Sequence, residues 1–96
     1  MAKLAIPTLH MNGTSRDGLV EPIIKVLDAI DRLQKLLQEV HPNGRDYYVQ
    51  DPGAMQVAVA QHRRRCEKLD QLRKEWEAIA LAVDERRITS DVEAAD

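Results

Sequence analysis

The stretch LVEPIIKVLDAIDRLQKLLQEV, residues 19–40, decides how this chain folds. Its apolar side chains Leu19, Ile23, Val26, Ile30, Leu33, Leu37 and Val40 step 4-3-4-3-4-3, the period of a helix that buries one narrow seam. A second seam opens with Met55, Val59, His62, Cys66 and Leu69 and continues through Leu72, Trp76, Ile79 and Val83. Two successive steps of three separate Cys66 from Leu72, which predicts either local overwinding or a wider buried face. Two such helices joined by a polar loop make an all-α antiparallel hairpin.

Outward from the first seam, the ends of each helix are written in turn and cap residues. Asn12-Gly13 predicts a turn, and Thr14 or Ser15 offers an N-cap oxygen, with Thr14-x-x-Asp17 approximating a capping box. The first helix is expected over about 15–40, kinked at Pro22, which removes one backbone donor and crowds the carbonyl of Gly18. His41-Pro42-Asn43-Gly44 ends it. Asp51-Pro52 restarts the chain, Asp as N-cap and Pro in the first turn, and the second helix is expected to reach Arg86 or Arg87. The hairpin thus occupies 14–87 (helices about 15–40 and 52–87), between an extended arm at 1–13 and a frayed tail at 88–96. Leu4, Ile6, Leu9 and Met11 make the arm apolar, so it is expected to pack on the overhang of the longer second helix, around Trp76, Ile79 and Val83.

Composition bounds the rest. The 96 residues are 44% hydrophobic but only 3% aromatic, with no Phe. The core is therefore aliphatic and thin. A lone pair of helices leaves much of both seams wet, at a cost of roughly 25 cal/mol per Å² of apolar surface. Assembly of identical copies into a helical bundle covers them. A net charge of −2 offers no excess of cations to a nucleic-acid backbone or an anionic membrane. One cysteine excludes an internal disulfide and suits a reducing compartment. The start carries too short an apolar run for a leader, and no spanning segment follows. These observations together predict a cytoplasmic protein that is its own partner.

Two polar clusters are candidate binding sites. The loop between the helices concentrates Arg45, Asp46, Tyr47 and Tyr48; tyrosines stack on a base, and arginine forks onto a phosphate. The bland alternative is that a tyrosine plugs the hairpin end while Arg45 and Asp46 pair locally. At the start of the first helix, Asn12, Thr14, Ser15 and Arg16 bring hydroxyls and free backbone N–H groups to a helix N-terminus, where anions bind; plain capping is the alternative. The clusters lie about 35–40 Å apart along one hairpin, so a shared ligand requires antiparallel copies. Arg63, Arg64 and Arg65 fan over about 200° of helix and read as a solvated face. His62 and Cys66 share metal-ligand spacing but sit in the seam and lack further ligands. No P-loop, nucleophile elbow, HExxH or CxxC occurs, so neither a catalytic residue, a metal nor a cofactor is expected.

The segments TLHMNGTSRD (Thr8 to Asp17), PNGRDYY (Pro42 to Tyr48) and HRRRCEKLDQLRKEWEAIA resemble a family of small phage and prophage proteins, over about residues 6–83. More loosely, the architecture is similar to that of phage sponge proteins, short helical oligomers that capture cyclic-nucleotide immune signals at subunit junctions. The resemblance implies a non-enzymatic protein sequestering a small anionic, nucleotide-derived ligand in the host cytoplasm. The rival expectation is a structural or adaptor hairpin that docks on a virion component or host factor.

Overall fold

A computed structural model describes residues 4–95, with side chains described through residue 85. Two α-helices, α1 (Arg16–Glu39) and α2 (Ala54–Ala95), pack against each other as a hairpin. A short 3-10 turn at Gly44–Asp46 lies between them. The molecule is a rod, with extents of 70 × 26 × 18 Å. Among the described residues no helix is long and apolar enough to cross a membrane.

Ser15 begins α1: its side-chain oxygen accepts the Gly18 N–H at 3.0 Å. The expected box from Thr14 to Asp17 does not form, because Asp17 pairs with Arg16 instead. Gly18 has a steric reason to be glycine, since a Cβ there would stand 2.8 Å from Thr14 Cγ2. Pro22 lies within a continuous α1 rather than at its start. The arm turns at His10, whose carbonyl accepts the Gly13 N–H. Leu4, Ile6 and Leu9 are half-buried, whereas Met11 is exposed. Val83 is completely buried beside the Arg16–Asp84 ion pair, at the end of the hairpin from which the arm leaves.

Two boundaries on α2 differ from expectation. Asp51 does not cap the helix; its carbonyl accepts the Ala54 N–H in a turn, and α2 begins two residues later than the Pro52 start expected. The turn passes through Gly53 at φ +120°, a conformation open to glycine and strained for other residues. At the far end the helical backbone continues past Arg86 and Arg87 through 88–95, where fraying was expected. From Ala54 onward no proline or glycine interrupts the chain. Residue 96 lies outside the described residues.

The contact between the helices corrects the reading of both seams. On α1 the buried and half-buried residues are Arg16, Leu19, Val20, Ile23, Leu27, Ile30, Asp31, Gln34 and Leu37. Of the expected seam, Leu19, Ile23, Ile30 and Leu37 are buried or half-buried, whereas Val26, Leu33 and Val40 are exposed. The apolar stripe of α1 is wider than one neighbour covers, and α2 takes one side of it. On α2 Met55, Val59, His62, Cys66, Leu69, Trp76, Ile79 and Val83 of the expected seam are buried or half-buried, and Arg73 and Ala80 are half-buried beside them. Arg73 holds the register where the sequence pattern pointed to Leu72, which is 43% exposed. The arginine is tolerated there because Asp31 of α1 meets it, Nε to Oδ1 at 2.7 Å, and Glu77 accepts a second bond at 2.6 Å.

Candidate functional site

The loop end of the hairpin is a chain of turns. Asn43 accepts the Arg45 N–H through its side chain at 3.0 Å, and the Gly44 carbonyl accepts from both Tyr47 and Tyr48 N–H. The Gln50 N–H returns to the Tyr47 carbonyl. Asparagine is suited to this position because its short amide mimics a backbone turn. These bonds fix where the tyrosines leave the backbone. Tyr47 is half-buried, and Tyr48 is 79% exposed. Arg45 is exposed and makes no ion pair among the described residues.

Tyr47 stands between two open grooves. One, of about 710 Å³, is lined by Tyr47, Gln50, Pro52, Gly53, Val57 and Gln61 among others. The second, of about 370 Å³, includes Gly44, Tyr48, Met55 and Gln56. The combination of phenol rings, amides and small residues gives flat apolar surface with polar edges. Sequence reading found the tyrosines but missed Gln50, Gly53 and Gln61. The signal for them was their closeness to Asp51-Pro52, read as a helix start rather than as a wall of the groove.

Behind the loop the hairpin is closed by imidazoles. His41 and His62 meet edge to face with ring centres 5.1 Å apart. His62 is buried, and its Nε2 lies 3.5 Å from Cys66 Sγ. His41 Nδ1 donates to the Pro42 carbonyl. The described residues hold no group of three or more side chains suited to a metal ion. His62 is buried between the helices, and Cys66 is half-buried at the edge of a groove lined by Gln34, Gln38 and Arg63.

The second cluster stands at the opposite end of α1, about 35 Å away for a helix of this length. Here the structure assigns several groups to folding. Ser15 caps the helix. The Arg16 guanidinium donates to Asp84 and to Asp17, and the Asp84 bond above all pushes its pKa above the ordinary arginine value. Arg16 thus ties the start of α1 to α2. Asn12 and Thr14 are exposed. Within one chain Tyr47 and Tyr48 share a groove whose lining does not include Arg45, and Asn12, Thr14, Ser15 and Arg16 stand at the far end of α1 from them.

The run Arg63 to Arg65 is spread round α2, with Arg63 lining the groove against Gln34 and Gln38. Arg64, Arg65 and Lys68 line one shallow groove of about 240 Å³ with Gln61, so three cations share a face.

Comparison with protein-family models, with curated proteins and with solved structures gives no match.

Proposed function

We propose that this chain is a non-enzymatic, phage-type binding protein that self-associates and holds a small anionic, nucleotide-derived ligand at the loop end of the hairpin. The observation that carries the reading is the turn-locked loop. It presents Tyr47 and Tyr48 along one groove, with Arg45, exposed and without an ion pair among the described residues, next to Gly44 of that groove. Tyrosine faces supply stacking area at low entropic cost, and a guanidinium free of carboxylates is available to a phosphate. Arg16 and Ser15 serve the fold first, so they contribute at most a helix N-terminus, with Asn12 and Thr14 as exposed polar contacts. Sequestration in the host cytoplasm asks for binding alone, with no acid–base pair or metal.

The test is calorimetry of the wild-type protein against cyclic di- and trinucleotides and ADP-ribose derivatives. Binding of one of them, weakened tenfold or more by Arg45→Ala and by Tyr47→Ala with helicity unchanged, is the expected result. Absence of binding to the whole panel contradicts the reading.

A second reading is favoured by the exposed aliphatic side chains Val26, Leu33, Leu36 and Val40: a structural or adaptor hairpin that docks on a virion component or host factor. Capture of one defined protein, abolished by Leu33→Asp and untouched by Arg45→Ala, distinguishes it.

A further inference from the structure

The two flanks of the hairpin differ in kind. Gln34, Gln38, Arg63, Glu67 and Asp70 line one groove between the helices and so mark one flank. The same flank carries the ion pairs Arg73–Asp31, Arg73–Glu77 and Lys74–Asp70. At about 100° per residue, Val26, Leu33 and Val40 lie roughly 80–120° round from the contact face of α1, on the other flank. Leu36 and Ala29 lie beyond them, and Leu72 occupies the same flank of α2. Leu33 is 45% exposed, Leu36 52% and Val40 66%. The ion-pair flank also carries exposed Ile24 and Leu81, whereas on the other flank exposed aliphatic side chains follow one line along α1 from Val26 to Val40.

The elongated chain as a whole exposes more surface than a compact one. The chain exposes 7679 Å², whereas a compact monomer of its mass exposes about 5,600 Å². The excess of roughly 2,000 Å² exceeds the ~800 Å² that each partner buries in a standard interface.

The flank is also self-complementary. In an antiparallel pairing centred on Leu33, that residue meets its own copy and Val26 meets Val40, while Ala29 lies one residue off level from Leu36. The hairpin register, fixed by Asp31–Arg73 and His41–His62, puts Leu33 level with residues near 70 on α2. Pairing α2 about that same level sets Arg65 opposite Glu75 and Lys68 opposite Leu72 of the other copy. Both helices therefore fit one two-fold axis, the commonest symmetry of soluble oligomers.

We infer that the Val26–Leu33–Val40 flank is the site of a second copy of this chain, docked antiparallel about a two-fold axis through Leu33. This deepens the function proposed above and rests on its self-association. In that arrangement the loop of one copy lies over the Leu19–Pro22 turn of the other, about one helical turn from Arg16. The partner copy then contributes Asn12, Thr14 and its helix N-terminus to the site that Arg45, Tyr47 and Tyr48 begin.

Disulfide trapping in a Cys66→Ala background tests the geometry, with helicity of the reduced proteins checked by circular dichroism. Leu33→Cys alone is expected to give a covalent dimer on oxidation, since cross-linking needs Cβ atoms about 4 Å apart. The Val26→Cys/Val40→Cys double variant is expected to do the same, and Val26→Cys alone is expected to stay monomeric on a denaturing gel. Leu33→Asp, at an exposed position, is expected to halve the native mass by placing two carboxylates on the axis. Trapping of Val26→Cys alone as fast as Leu33→Cys overturns the antiparallel register. Absence of trapping in a particle that still scatters as an oligomer overturns this face while self-association stands. A monomeric wild type removes both.

Discussion

Gly53 and Asp31 show how single residues decide local structure in this chain. Gly53 holds φ +120° immediately before α2, with open space where a Cβ would stand. The cost of Gly53→Ala is therefore backbone strain alone, about 1–3 kcal/mol. A lowered urea midpoint with unchanged helicity is the expected outcome, and an unaltered midpoint would show that the turn relaxes freely. Asp31 accepts from Arg73, and that bond, reinforced by the charge of Lys35, holds its carboxyl below its ordinary value of 3.8. A depressed carboxylate adds stability that is present above 3.8 and is lost as pH falls through its lower folded value. Denaturation midpoints taken from pH 5 down to pH 3 are expected to fall more steeply for wild type than for Asp31→Asn. Equal slopes would mean that the pair contributes nothing. Neither residue announces itself in the sequence. Gly53 reads as a loop glycine after a proline, and Asp31 reads as a solvated helix charge until Arg73 is seen opposite.

At the scale of elements, α1 depends on its first turn. Ser15 satisfies the Gly18 N–H, and Ser15→Ala is expected to cost about 1 kcal/mol. Ser15→Asp, which keeps an acceptor and adds a charge favourable to the helix dipole, is expected to restore stability. Thermal melts of the three proteins check this order; an alanine variant as stable as wild type would assign the cap elsewhere. Both helices were legible from heptad spacing, and so was the loop, whose Pro, Asn and Gly residues admit no helix. The phase of each seam was less legible. Leu72 looked like the core position because it is apolar, yet Arg73 occupies the contact, since its ion pair across the interface is worth more than its hydropathy suggests. On α1, Ile23, Ile30 and Leu37 belong equally to a seam with Val20 and Leu27 and to one with Val26 and Leu33. Sequence alone does not choose between them; the position of α2 does.

For the whole molecule, the shape argues for company. A rod with a radius of gyration of 20.1 Å is far from the ~12–13 Å of a compact domain of this length. Its thin core follows from the scarcity of aromatic residues, and its exposed aliphatic flank follows from α2 covering only one side of the α1 stripe. The Arg45–Tyr48 loop was legible as a polar cluster, and Asn12 and Thr14 stand at the opposite end of α1 from it. The central claim is that identical copies cover the flank that α2 leaves wet. Light scattering coupled to size-exclusion chromatography, run on the wild-type protein from micromolar to hundreds of micromolar, tests it most directly. A mass at an even multiple of 10.9 kDa is predicted, halved by Leu33→Asp; a steady 10.9 kDa across that range would contradict the account.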